Sequence, residues 1–227
     1  MKTEVKEYPI LFNAEMVQAI LAGRKTQTRR VMKLKDTFKE CIWCEGQGFE
    51  WVECGNELSG FDYRQPCRCK MPSCPYGHAG SNLWIRETWA VGKGYDETAP
   101  RDIPKQSYIK VWYLADGPKP EWVGRTRVSI HMPRYFSRIN LENKGIGVEQ
   151  IQEITKEDSI SEGIKKPNRE GFYDYLRKEY CRTWSVTSFE SLWDSIHSND
   201  GFNWQSNPFV WVVKFKLMKG NENGSND

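Results

Sequence analysis

Seven cysteines stand in 227 residues, and four of them form two close pairs. Cys41-Ile42-Trp43-Cys44 is a CxxC followed by Gly46 and Gly48, and Cys67 and Cys69 make the second pair. A CxxC turn aims two thiolates at one ion, and the glycines let the backbone fold tightly beneath it. Four thiolates in two pairs suit a tetrahedral structural zinc, which leaves no open position for catalysis. Cys54, Cys74 and His78 are spare ligands. Free thiols and a redox CxxC are the other readings, and no βαβ context flanks the motif as the redox case requires. The odd cysteine count, with an opening MKTEVKEYPI that lacks the apolar core of a signal peptide, points to reduced thiols or thiolate ligands rather than a disulfide framework.

Basic residues supply the second kind of chemistry. Between Arg24 and Lys35 there are six of them (Arg24, Lys25, Arg29, Arg30, Lys33, Lys35) and no acid. A second run holds Arg125, Arg127, Arg134 and Arg138, with His131, Trp122, Tyr135 and Phe136 between them. Basic and aromatic residues together suit a phosphate backbone and unstacked bases. Two solvated basic faces explain the same pattern equally well, and a net charge of +3 does not decide between them. Arg86 and Glu87 fall on opposite faces if Trp84–Glu87 is a strand. The inward one needs a partner, either a ligand or an internal ion pair. His131, just before Pro133, suits a hydrogen bond to backbone or phosphate.

These groups need elements to hold them. Pro9–Phe12 reads as a short strand, and Asn13 caps a helix over Ala14–Ala22 that Gly23 stops. The basic segment follows at once. Composition shifts near Lys35, and residues 36–79 hold six of the seven cysteines. With few large aliphatics, such an insert cannot fold on its own core, and a metal would supply the missing stability. Beyond it, Leu83–Val91, Tyr108–Leu114, Arg134–Leu141 and Gly147–Ile154 read as strands. Thr155–Asp158 has the form of a capping box and starts a short helix ending near Gly163. Gly171–Cys181 and Ser188–His197 look helical, and Pro208–Leu217 alternates as a strand. Charged residues at 28% and apolar ones at 38% are those of a globular chain, and no run approaches the roughly 20 apolar residues of a membrane helix. The expectation is α+β: a small β-barrel with helical additions, non-membrane and cytoplasmic.

Four segments, MVQAILAGRKTQTRR (16–30), CPYGHAGSNLWIRETWA (74–90), SIHMPRYFSRINL (129–141) and NPFVWVVKF (207–215), resemble the ASCH family, in particular its long phage and prophage members. ITKEDSISEGI (154–164) and LWDSI (192–196) fit as well. The resemblance implies a PUA-like barrel over residues 1–220, interrupted by the insert 36–79 and followed by a disordered tail, 221–227. It implies a cleft suited to RNA or a modified nucleobase, in the host bacterial cytoplasm if the chain is phage-encoded. Compact members are amidohydrolases acting on N4-acetylcytidine. Their working lysine, threonine and glutamate fall at Lys25, Thr28 and Glu162. One departure is that Gly80-Ser81 stands where the family has Gly-Asp.

Three functions compete. The first is binding of RNA or single-stranded nucleic acid, with Arg24, Arg29, Arg30, Arg86, His131 and Arg134 at the ligand. The second is hydrolysis of a modified base, or of RNA itself, by Lys25, Thr28 and Glu162. The third is an interaction or scaffolding role with a protein partner docked on the zinc insert.

Overall fold

The computed structural model describes residues 5–33 and 73–218. The chain divides into two compact units, Met1–Val31 with Cys74–Asp227, and Met32–Ser73. The expected zinc ligands Cys41, Cys44, Cys67 and Cys69, the spare Cys54, and the tail from 221 lie outside the described residues.

In the first unit, β1 (Glu7–Leu11) leads through Phe12 to α1 (Ala14–Leu21), and then β2 (Gln27–Val31) follows. Asn13 Oδ1 accepts from the Met16 amide at 2.8 Å, which satisfies one of the donors a helix start leaves open. Gly23, at φ +70°, takes the chain out of the helix. β3 (Asn82–Arg86) then pairs parallel to β1, so segments from before and after residues 34–72 are neighbours in one sheet. β4 (Trp89–Ala90) and β5 (Trp112–Tyr113) form a small separate ladder. β6 (Asn140–Gln150) and β9 (Phe209–Leu217) complete the main sheet, in the order β1-β3-β6-β9-β2. The β1–β3 pair is parallel and the rest are antiparallel. The result is α+β with a five-stranded mixed sheet, in linear order with β1 and β2 at its ends. Arg30 Nη2 donates to the Leu11 carbonyl and so ties one edge strand to the other.

Over Val210–Val213 β9 is apolar on both sides because both sides are covered there, while Lys214 and Lys216 are exposed. Val210 and Val212 pack with Ile151, Ile154, Ile164, Phe189 and Trp193, and Phe215 meets Phe12 edge-on at 5.9 Å. α2 (Lys156–Ser161) begins at Thr155, whose hydroxyl accepts from the Asp158 amide at 3.1 Å. α3 (Ser185–His197) supplies Phe189 and Trp193 to the same cluster. β6 carries a bulge between Asn143 and Gly145. The buried Asn143 side chain holds it, accepting from the Gly145 amide and donating to the Tyr76 carbonyl, both at 3.0 Å.

Several expected elements fold differently. Residues 171–181 are not a helix but part of a hairpin of β7 (Phe172–Asp174) and β8 (Glu179–Arg182). The Asp174 carboxylate accepts from the Leu176 and Arg177 amides, offering them a turn in place of helical carbonyls, and Tyr173 packs edge-on against Tyr180 across the ladder. Arg134–Phe136, behind Pro133, is a 3-10 turn rather than strand, and β6 starts only at Asn140. Tyr108–Leu114 contributes strand only at Trp112 and Tyr113. Among the described residues no helix is long and apolar enough to cross a membrane.

Candidate functional site

After α1 the chain makes a sharp exit. The amides of Arg24 and Lys25 both donate to the Ala19 carbonyl, at 2.9 and 3.1 Å, and the Thr26 amide donates to Ser161 O at 2.9 Å. Lys25 and Glu162 form an antiparallel bridge. The end of α1 and the end of α2 are thereby pinned together. Gly163, at φ +83°, permits the close approach, since a Cβ there would fall 2.7 Å from Lys25 Cβ and 3.1 Å from Ala19 Cβ.

That contact places two opposite charges out of water. Lys25 Nζ lies 2.8 Å from Glu162 Oε2 and donates to the Glu162 carbonyl at 2.8 Å as well. The two residues are 2% and 4% exposed. Burial pushes the Lys25 ammonium below the ordinary lysine range. Glu162 opposes that shift, while the Arg30 and Arg29 charges add to it.

Arg29 sits at the centre of the surrounding network. Its Nε meets Glu149 Oε1 at 2.6 Å, its Nη1 meets Glu162 Oε1 at 3.1 Å, and its Nη2 meets Asp158 Oδ2 at 3.1 Å. Burial pulls its pKa down, but the Glu162 and Glu149 carboxylates outweigh that and hold it above the usual guanidinium value. Glu149 itself is raised, because burial outweighs the help from Arg29. Asp158 is lowered: burial works against ionisation, and Gln27 and Arg29 together overcome it. Two cations face three carboxylates here, so the network is satisfied from within and carries one formal negative charge in excess.

β2 alternates, so Gln27 and Arg29 face α2 while Thr28 and Arg30 take the other face, in register with Val213 and Trp211. Lys25 Nζ and the Arg30 guanidinium both lie over the Phe12 ring, 5.8 and 5.1 Å from its centroid. Thr28 is buried and makes no side-chain hydrogen bond among the described residues. The three expected working residues therefore do not share one open cleft. Lys25 and Glu162 touch, Thr28 stands three residues on in β2, and Glu162 lines a cavity. That cavity, about 140 Å³, is bounded also by Asn13, Gln18, Arg24, Lys165 and Tyr175. It is smaller than the roughly 300–1,000 Å³ of drug-sized pockets, with room for a base or an acyl group.

The residues expected at phosphates divide. Arg24 Nη1 donates to the carbonyls of Gly163 and Ile164, Arg29 is occupied by carboxylates, and Arg30 is bound to Leu11. Arg134 holds Glu7 through two nitrogens and Asn140 through one of them. Arg86 and His131 lie elsewhere, along a groove with Pro100 and Ile130. At the Arg86-Glu87 pair, the inward residue is Glu87, which Arg138 meets at 3.0 Å and 3.2 Å. Ser81, where the resemblance expects an aspartate, is buried and donates to the His78 carbonyl at 2.6 Å, closing the turn before β3. Among the described residues no three His, Cys, Asp or Glu side chains gather as a metal site.

Sequence reasoning missed Glu149 and Asp158. Asp158 was within reach, because Asp158 and Glu162 are four apart on one helix and so share a face. Glu149 sits on β6, 120 positions from Arg29, and no local spacing links them.

No protein-family model matches the chain, and no curated protein matches it. Among solved structures, the crystal structure of protein EF3133 from Enterococcus faecalis, given with the family model DUF984, is similar over 99% of this chain and 88% of that one. The identity is 6% and the TM-score 0.37.

Proposed function

We propose that this chain is an ASCH-type, PUA-like protein acting on nucleic acid, and that the Lys25–Glu162 pair is its hydrolytic centre for an acylated nucleobase. The observation that carries the reading is the 2.8 Å contact of a buried lysine and a buried glutamate beside a small cavity. A lysine kept only to hold phosphate gains nothing from being sealed against a carboxylate. A lysine that must give up its proton near neutral pH gains a lowered pKa from that burial.

The pair shares one proton in two forms, ammonium with carboxylate or amine with carboxylic acid. In the second form Lys25 is a free amine that can serve as base for the Thr28 hydroxyl. The step requires Thr28, which makes no side-chain hydrogen bond among the described residues, to turn from its own face of β2 toward that amine. The Thr28 oxygen adds to the acyl carbonyl as its proton passes to Lys25, and Glu162 delivers its proton to the departing exocyclic amine. The amide bond breaks and an acyl-Thr28 ester remains. Water then adds to the ester, loses a proton to the pair, and Thr28 recovers one as the carboxylic acid leaves. Arg29 orients Glu162 from the side that Lys25 leaves open.

Release of cytidine from N4-acetylcytidine, free and within a short RNA, tests the reading. Wild type turns over; Lys25→Ala and Thr28→Val lose turnover by a hundredfold or more, and Thr28→Val retains substrate binding because its loss falls on the transition state. Turnover by Thr28→Val at the wild-type rate, or none by wild type above a protein-free blank, sinks the proposal.

A further inference from the structure

On segments remote from the Lys25–Glu162 pair, a second group of basic residues stands with few carboxylate partners: Arg101 meets Asp102 at 3.7 Å, and Arg86, Arg125 and Arg127 have no ion pair among the described residues. Two grooves share Ala99, Pro100 and His131. One, of about 420 Å³, adds Arg86, Arg101 and Ile130; the other, of about 470 Å³, adds Arg125, Arg127, Val128 and a single acid, Glu97. None of these residues lines the cavity at Glu162.

Arg127 is the least satisfied of them. It is 5% exposed, yet its Nε and Nη1 have no hydrogen-bond partner. Only Nη2 is used, donating to the Tyr95 carbonyl at 2.5 Å, while the guanidinium lies 5.7 Å from the Trp89 ring centroid. Asp96, the nearest acid to act on it, spends its Oδ1 on the Arg125 amide. A buried guanidinium short of partners costs free energy. Its two unpaired nitrogens are closed to solvent, so an anion in the groove would offset that cost through its charge rather than by bonding to them. Arg86 repeats the pattern in the neighbouring groove: Nη1 donates to the Ile130 carbonyl at 3.1 Å and Nε is buried without a partner. Arg125 and His131 are exposed. Between the cations, Val128 and Ile130 stand 58% and 57% exposed, apolar surface that a sugar or base face would cover.

We propose that the grooves bordered by Arg86, Arg101, Arg125, Arg127 and His131 bind the phosphodiester backbone of a single-stranded nucleic acid. Phosphate chemistry follows from four guanidinium groups around grooves that a single acid, Glu97, borders. A strand, rather than a lone phosphate, follows from these four groups and His131 being spread over two adjoining grooves with apolar side chains between them. The inference deepens the function proposed above and rests on it for the reaction alone, by making the substrate a polymer anchored away from the reacting base.

Fluorescence anisotropy of a labelled 12-nucleotide single-stranded RNA, titrated at several salt concentrations, tests it. Arg125→Ala changes an exposed side chain. Arg127→Met removes an under-satisfied buried charge, so both variants keep the fold, which a thermal melt checks. Each weakens binding at least fivefold at physiological salt, and each lowers the salt slope by about 0.7 for one lost contact. Thr28→Val leaves affinity unchanged, so loss of turnover and loss of anchoring read separately. Wild-type affinity and slope in both arginine variants overturn the proposal. Inorganic phosphate displacing the RNA at concentrations near its own Kd for the protein also overturns it, because that marks a site for a free anion. Equal loss of binding in Lys25→Ala with none in Arg125→Ala moves the strand to the other site and overturns it too.

Discussion

Replacing Glu162 by Gln keeps the shape of the side chain and removes one charge from between Lys25 and Arg29. Arg29 retains Glu149 and Asp158. Lys25 retains no carboxylate among the described residues, where its one ion-pair partner is Glu162. Leaving a buried charge unpaired costs about 3–5 kcal/mol. The lysine has an escape, which is to fold without its proton. At about 1.36 kcal/mol per unit, a lysine neutral at pH 7 against an ordinary value near 10.4 costs about 4.6 kcal/mol, so the loss cannot much exceed that figure. The sign with pH then follows. In Glu162→Gln the unfolded chain binds a proton at Lys25 that the folded chain does not, so stability rises with pH, by up to about 1.36 kcal/mol per unit, until the unfolded lysine titrates. Urea denaturation at pH 7 and pH 9.5 measures both quantities. Lys25→Met leaves Glu162 its Arg29 contact and costs less, about 1–3 kcal/mol. Lys25→Met/Glu162→Gln then unfolds no more easily than Glu162→Gln alone. A Glu162→Gln loss below 1 kcal/mol at pH 7, or one as large at pH 9.5, refutes the reasoning.

Gly163→Ala meets a positive φ and a Cβ contact at 2.7 Å, and is expected to cost about 2 kcal/mol or more, while Gly80→Ala, with φ +85° and open space, costs only the backbone part, about 1–2 kcal/mol; paired thermal melts compare them. Asp174 is held below the ordinary carboxylate range: burial raises it, but the Arg177 and Leu176 amides with Arg182 and Arg177 outweigh that. The stability this supplies is present above about pH 4 and lost as pH falls through the lowered value, so Asp174→Asn loses it at pH 7 and flattens the acid limb of a pH–stability curve. The cysteine spacing predicts about one zinc per chain on Cys41, Cys44, Cys67 and Cys69; elemental analysis finds it and chelation lowers the melting temperature, whereas zinc-free protein with seven titratable thiols ends that reading.

Local chemistry was the legible part of this chain. Asn13 and Thr155 announce their helices because a cap is a matter of three residues, and Gly23 and Gly163 mark the exits for the same reason. The strand at the end of the chain was legible from its alternation, although the sequence alone could not say that both its faces would be covered. Residues 171–181 misled because aromatic and polar residues there fit a helical spacing, while Asp174 decides the matter by capturing two backbone amides. At the candidate site, Lys25 and Glu162 could be named through the resemblance. Arg29 read as one more basic residue in a run, because the acids that occupy it come from β6 and α2, and a sequence shows no charge balance across such separations.

The bulge in β6 bears on how this fold can vary in length. Ahead of it Leu141 stands opposite Leu217, and behind it Glu149 stands opposite Val210, so one extra residue is taken up while the later residues keep their side of the sheet. Were the full-length strand paired without the bulge, Val148 would stand opposite Val210 and Glu149 would turn away from Arg29. Deleting the extra residue instead leaves Glu149 opposite Val210 in a regular ladder. A related chain one residue shorter at this point can therefore keep the Arg29–Glu149 pair without a bulge, whereas one of the same length keeps it only with the bulge.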